Sequence, residues 1–566
     1  MNRSETARGS EERRRPLRAV YVWAGGLLLF GAALLRSATC GLVLTDEAWF
    51  LQVAARLHSG EVLYRDVFFG VMPLSAYAAR LLTSIFGIEI LPLKALAALL
   101  YAGGVLISCR IARRLGATLT TRIYLVLALF VYASPGMLLP SVPYTFMSSL
   151  FLLCCFSATL SWRDADTQET EAHEFEAQET EAQATEAKAT GALRRRRAGG
   201  LYLLVVAGAS AGLSFASKQN VGLYALIASL VAVGFNYKYE ASARARSLPS
   251  QRVLRSLGVV IIAFSLTVGL TLLPVWLEGG LEKLIDYGFT NKINYLRHAG
   301  HSYSEAFVEH LTIARFFKTP YGLFQSTAFL LPPLALASML LACFRAQGRA
   351  RGRLVTALLF GVAAFAGTFP RVSFYHLSFA LPAMLPGLSY AYRLLKPFRA
   401  VSIDRLARAG LVLLLGSGLA LAFADTLQSM NRRLYQRSLI PHFRGILLRR
   451  DEHSAMQSMM QVFVENEDAR DGKLFILSPR AGFYYLASGL RNPTPFDYPL
   501  RTAFGRGGER EVIERISRGE IQSVCTDLDL DPALRAQRPT LVESYMRLEM
   551  ERVGVLVDCV LYRARR

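Results

Sequence analysis

The sequence predicts a polytopic α-helical membrane protein of about eleven spans, with a C-terminal α/β domain held outside the bilayer. Three observations carry that prediction. Of 566 residues, 52% are hydrophobic, too many for a soluble chain of this length. Apolar stretches of roughly 20 residues, each able to cross about 30 Å of hydrocarbon, recur down to residue 424 and then stop. The formal charge of +21 falls in short clusters between those stretches rather than along one basic face, so no nucleic-acid partner is expected and the charge reads as membrane topology.

The predicted spans lie near 19–37, 91–110, 119–136, 139–161, 199–216, 220–236, 257–277, 321–344, 354–369, 376–395 and 408–424. Residues 1–18 are polar and Arg-rich, and the apolar run after them lacks a small-residue cleavage site, so the first span is expected to stay as an anchor behind a cytoplasmic tail. Orientation follows from the basic residues. The connections holding Arg110, Arg113, Arg114 and Arg122, then Arg194 to Arg197, then Arg244, Arg246, Arg252 and Arg255, then Arg345, Arg349, Arg351 and Arg353, then Arg393, Lys396, Arg399 and Arg405 are alternate ones. With the basic N-terminus, they belong on the cytoplasmic side of a bacterial inner membrane. Residues 38–90, the turn after Ser134, the Lys218 turn, 278–320, the turn from Phe369 to His376 and all of 425–566 then fall outside. Within the membrane domain, 19–424, the stretch 163–198 repeats Glu, Ala, Thr and Gln with almost no large apolar residue. It reads as a low-complexity cytoplasmic insert, disordered or a solvated helix, without a catalytic role.

In 425–566, short runs at 474–477, 524–527 and 555–562 accompany a helical pattern at 511–517, the signature of a small periplasmic α/β domain with an accessory role. The 7 cysteines show neither a zinc pattern nor a disulfide framework. Only Cys525 and Cys559 share a polar region, where they either pair in an oxidising compartment or remain buried thiols on core strands.

The first outer loop, 38–90, opens Leu44-Thr45-Asp46-Glu47-Ala48-Trp49-Phe50. Adjacent carboxylates beside hydrocarbon are expensive, so a functional role is the first hypothesis, against the bland one that both face water at a helix end. Trp49, Phe50, Val53, Ala54 and Leu57 recur at helical spacing, predicting a helix lying flat on the membrane surface with Asp46 at headgroup level. Arg65 and Asp66 follow, ahead of Phe68-Phe69-Gly70-Val71-Met72-Pro73. They can contact substrate or simply pair with each other.

On these residues the chain resembles the C-type (GT-C) integral-membrane glycosyltransferases, the bacterial relatives of the protein O-mannosyltransferases and of the lipid A aminoarabinose transferase. The resemblance rests on the acidic pair after the first span, on an Asp followed by a Pro-containing turn, and on a two-helix first outer loop. It covers roughly the first 240 residues by motif and the remainder by topology. Gly70, Val71, Met72 and Pro73 stand where the protein mannosyltransferases carry His-Pro-Pro, which speaks against a protein acceptor.

The resemblance implies an inverting transfer from a polyprenyl-phosphate-linked sugar donor to a hydroxyl of a glycan, lipid or protein acceptor. Asp46 would be the general base and Glu47 would orient the acceptor or tune Asp46. The leaving phosphate asks for cations opposite. Lys218, in Ser217-Lys218-Gln219-Asn220, and Arg371 and His376, in the turn from Phe369 to His376, stand on the outer side against the topological bias and are predicted to bind it. The competing reading has the Lys and Arg snorkel to lipid headgroups. Arg65, Asp66, Gln219, Asn220 and Tyr375 are predicted to line the substrate. No cofactor is expected, with a divalent metal left open; His298, His301 and Glu305 are the candidate ligands, and solvent exposure explains them better. The absence of a Gly-rich nucleotide loop agrees with a lipid-linked donor. The rival from another class is a multi-pass transporter or lipid flippase for a glycan or glycolipid, which needs ionisable groups near the midplane; the span centres carry almost no charge.

Overall fold

In the computed structural model, the backbone is described for residues 31, 39–133, 143–178, 186–244, 250–291, 296–297, 300, 302–311, 322–395, 401–527, 537–556 and 559–565. Two helices, α1 (Glu47–His58) and α2 (Leu74–Phe86), form the first outer loop. The bundle continues as α3 (Ile90–Arg114), α4 (Leu119–Ala133), α5 (Pro143–Gln178), α6 (Glu186–Ser217), α7 (Gln219–Arg244) and α8 (Ser250–Leu277). Then come the short α9 (Leu281–Ile285), a π-turn at Asp286–Thr290, and α10 (Tyr303–Leu311). Four long helices close the series: α11 (Gly322–Arg345), α12 (Gly348–Ala366), α13 (Phe374–Leu395) and α14 (Val401–Ser429).

Among the described residues 7 helices are long and apolar enough to cross a membrane: Ile90–Arg114, Pro143–Ala165, Gly200–Ser217, Gln219–Tyr237, Gln251–Leu277, Ser326–Arg345 and Ala409–Ser429. Every expected span from 91–110 onward coincides with a helix, α4, α12 and α13 included. Apart from residue 31, the expected span at 19–37 lies outside the described residues, as does the turn after Ser134. Where its backbone is described, the 163–198 insert is helical, continuing α5 and opening α6.

The helices have two chemically distinct ends. At one, Asp164 pairs with Arg353 at 3.0 Å and Arg114 at 3.9 Å, Arg163 donates to Arg349 O at 2.8 Å, and Arg393 donates to Leu115 O at 3.2 Å. These are the start of α12 and the ends of α3 and α13, the connections read as cytoplasmic. At about 1.5 Å per residue, the 25 residues of α3 carry the chain roughly 37 Å to the other end, where Ile90 N donates to His442 O of the tail.

Bundle packing has local causes. Gly208 and Gly212 let α6 lie against the α8 backbone: a Cβ at Gly208 would stand 2.3 Å from Val260 O and one at Gly212 2.9 Å from Phe264 O. Pro386 in α13 has no N–H for the Pro382 carbonyl one turn back, and Ser108 Oγ of α3 donates to that oxygen at 2.6 Å.

The tail holds β1 (Tyr435–Arg437), β2 (Leu447–Arg449), α15 (Arg450–Glu465), α16 (Glu467–Arg470), β3 (Leu474–Leu477), α17 (Ala481–Ser488), α18 (Gly508–Ser517), β4 (Ser523–Asp527), α19 (Thr540–Glu549), β5 (Met550–Leu556) and β6 (Cys559–Ala564). β1 and β2 pair alone, while the main sheet has the order β3-β4-β6-β5, with β3 and β4 parallel and the other pairs antiparallel. The expected strand at 555–562 is instead divided between the end of β5 and the start of β6, which pair antiparallel. Cys525 and Cys559 form a disulfide across β4 and β6, with Cα atoms 5.7 Å apart.

One hydrophobic core serves both the first outer loop and the tail, joining Trp49, Phe50, Phe68 and Phe69 to Phe483, Tyr485, Phe496 and Phe504. This corrects one expectation. The apolar face of helix α1 is not turned to lipid: Ala48, Phe50, Leu51, Val53, Ala54 and Leu57 are all at most 1% exposed, because the tail supplies the apolar cover that lipid was expected to give. Phe68 N donates to Pro495 O at 2.9 Å and Gly41 N to Leu447 O at 2.8 Å, so loop and tail share backbone hydrogen bonds as well as a core.

Candidate active site

Asp46 sits at the N-terminus of α1, where its backbone carbonyl accepts from Phe50 N at 3.0 Å while its side chain caps nothing. Its carboxylate makes no hydrogen bond to any described residue. Part of its surface still reaches solvent, yet the surrounding protein removes enough water to push its pKa up to about 6. Arg371 opposes that shift and Glu47 adds to it, so both charges stand near the carboxylate.

Arg371 follows the Phe369–Pro370 cis peptide and precedes α13, and its guanidinium likewise has no hydrogen-bond partner among the described residues. An anion and a cation therefore lie within electrostatic reach of each other without a hydrogen bond between them.

Three other predicted residues gather there. Tyr375 lies within electrostatic reach of Asp46 and Glu47, and its ring stands edge-on to His376 with centroids 5.5 Å apart. His376 Nδ1 shares a 2.8 Å hydrogen bond with Ser373 Oγ, and the charges of Lys218 and Arg371 both act on its ring. Lys218, between α6 and α7, donates to Gly367 O at 3.3 Å. Lys218 and His376 line one cleft with the hydroxyl-bearing Thr145, Ser148, Ser149 and Thr368.

Glu47 has a different part. It is buried, with Oε1 accepting from Lys94 Nζ at 2.9 Å and Oε2 from Val43 N at 2.9 Å. Lys94, on α3, is equally buried and was missed in the sequence, where a single Lys near a span start resembles any snorkelling residue. Gln219 and Asn220 turn to the backbone, Gln219 Nε2 donating to Gly288 O at 2.8 Å and Asn220 Nδ2 to Phe369 O at 2.9 Å, so they hold the turns that present Lys218 and Arg371. Arg65 and Asp66 pair with each other at 2.8 Å on the surface, and Arg65 holds its neighbour's carboxyl below its usual range. The structure does not bring this pair into contact with the cluster.

Two solved structures match this fold across almost the whole chain. The crystal structure of ArnT from Cupriavidus metallidurans bound to undecaprenyl phosphate superposes with a TM-score of 0.52 at 13% identity, covering 96% of this chain and 97% of that one. The same protein in the apo state gives 0.51 at 14% identity, covering 97% and 98%. The chain has the fold of ArnT. No family model and no curated protein sequence matches it, so the likeness to ArnT lies in the path of the chain rather than in its residues.

The ArnT-like architecture accounts for the convergence: α1, α3, the α6–α7 turn and the start of α13 meet at the end of the bundle that the tail covers. Among the described residues no group of three His, Cys, Asp or Glu side chains is placed to hold a metal ion, and His298 and His301 lie outside those residues.

Proposed function

We propose that this chain is an inverting glycosyltransferase that moves a sugar from a polyprenyl-phosphate donor to a hydroxyl acceptor on the outer face of a bacterial inner membrane. The observation that carries this reading is the unbonded pair: the Asp46 carboxylate, at about pKa 6, feels the charge of the Arg371 guanidinium without a hydrogen bond to it, and the charges of Arg371 and Lys218 both act on His376. A carboxyl near pKa 6 is ionised at neutral pH yet more basic than an ordinary Asp, the property wanted in a general base. Asp46 takes the proton of the acceptor hydroxyl as its oxygen attacks the anomeric carbon, and the sugar–phosphate bond breaks on the opposite face. Arg371 and Lys218 receive the developing phosphate charge, Arg371 through a two-donor fork and Lys218 as a point charge. Glu47, its oxygens engaged by Lys94 and Val43, positions Asp46 rather than touching the acceptor.

Support for the donor class comes from the ArnT fold, since ArnT binds undecaprenyl phosphate. The outer placement draws on the arginine-rich end of the bundle, which the positive-inside rule assigns to the cytoplasm, and on the Cys525–Cys559 disulfide, which belongs in an oxidising compartment. This chemistry uses no organic cofactor, and a divalent metal is varied in the assay that identifies sugar and acceptor.

The test uses purified protein, a panel of undecaprenyl-phosphate-linked pentoses and hexoses, and lipid or glycan acceptors. Asp46→Asn keeps the shape and removes the base, so transfer should fall on the order of 10²-fold or more. Transfer that survives within about tenfold overturns the assignment.

A further inference from the structure

We propose that Asp497, in the C-terminal domain, is a positioning residue for the reaction, acting through Arg56 to fix the helix that carries Asp46 at its start. The inference rests on the reading of Asp46 as the base and extends it to a residue that never meets substrate.

Asp497 is 0% exposed. Its Oδ2 accepts from Arg56 Nη1 at 2.8 Å, and its Oδ1 accepts from Asn492 Nδ2 at 2.8 Å and Gln52 Nε2 at 3.4 Å. Arg56 has every donor engaged. Nε and Nη2 reach Glu61 Oε2 at 2.9 and 2.6 Å, Nη2 also reaches Asp66 O at 2.9 Å, and Nη1 also reaches Thr494 O at 3.0 Å. A planar guanidinium held by acceptors on several sides cannot turn without losing more than one of them. The last turn of α1 is thus bolted to the tail by a buried ion pair.

The contact extends towards the reacting end. Gly482 N donates to Asp497 O at 3.1 Å, and a Cβ on Gly482 would stand 2.8 Å from Trp49 Cα, so the α17 backbone lies directly on α1 near Asp46. Ten residues separate Asp46 from Arg56, roughly 15 Å of helix, over which a tilt of about 4° moves the carboxylate by roughly 1 Å. A displacement of that size is enough to cost a reaction about 10²-fold.

The experiment uses the full-length protein in lipid nanodiscs, with Asp497→Asn, Arg56→Lys and Asp46→Asn compared with wild type. Two readouts are taken: kinetics with the undecaprenyl-phosphate-linked sugar panel, and hydrogen exchange across 43–58. Both clamp variants should lose about 10- to 100-fold in kcat, leave donor KM within about threefold, and exchange faster over 43–58 while the bundle stays protected. If Asp497→Asn does not fold, Arg56→Lys, which keeps the charge, decides alone. Wild-type kcat in a folded clamp variant overturns the inference, and so does a fall in kcat without faster exchange at 43–58. The failures are separable: if Asp46→Asn retains transfer, the base assignment falls, while exchange still reports whether the tail holds α1.

Discussion

Asp46 carries its charge where water is scarce, and that has measurable consequences in two directions. With the carboxyl lifted to about 6, kcat should fall tenfold per unit of pH below about 6 as the base becomes protonated, an acid limb visible in a pH–rate profile. The same lift opposes folding. Because the folded-state value exceeds the ordinary 3.8, ionised Asp46 destabilises the protein fully above about pH 6, progressively less between 6 and 4, and not at all below. Asp46→Asn should therefore cut transfer on the order of 10²-fold or more yet raise stability at pH 7 by about 1–2 kcal/mol, the shift being discounted for the residual solvent contact, with the gain vanishing near pH 4. Denaturation of both proteins at pH 7.5 and pH 4 checks this. Glu47 and Lys94 make the converse prediction. Both are fully enclosed, so Lys94→Met strands a carboxylate and should cost about 3–5 kcal/mol, whereas the double variant with Glu47→Gln should recover much of the loss. Simple additivity in that cycle would show that the pair is not coupled.

At the scale of elements, the spans were legible because hydrocarbon imposes one length and one composition, and alternation of Arg-rich connections fixed which ends belong together. The predicted α1 was found with nearly its expected limits, but not its environment: an apolar helix face says that something apolar covers it, and it is silent on whether that is lipid or protein. Lys218 and Arg371 were legible as cations out of place, whereas Lys94 and the Arg56–Asp497 pair were not, since a pairing between residues 441 apart leaves no local mark. The proline-bearing α13 shows how the bundle repairs its own gaps. Ser108→Ala removes the donor from the Pro382 carbonyl and should cost about 0.5–1.5 kcal/mol, measurable by unfolding in mixed micelles. Ser108→Thr, which keeps the hydroxyl, should lose less.

Over the whole molecule, the loop that carries Asp46 shares one core with a sheet domain, and the stability of that domain bears on the loop. The Cys525–Cys559 bridge spans 34 residues and, in the chain-entropy view, should contribute about 3–4 kcal/mol to the tail. Reduction should lower its Tm, and transfer should be lost at the temperature where the tail melts rather than where the bundle does. Thermal unfolding and activity, each with and without dithiothreitol, test that coupling.

The shared core also bears on how the protein is made. Arg56 leaves the ribosome 441 residues before Asp497, so at typical elongation rates the first loop waits roughly 20–90 s for the partner that will bury its aromatic residues. During that interval Trp49, Phe50, Phe68 and Phe69 are exposed to quality-control proteases, and a chain cut short after the last membrane helix would present that unfinished surface for good.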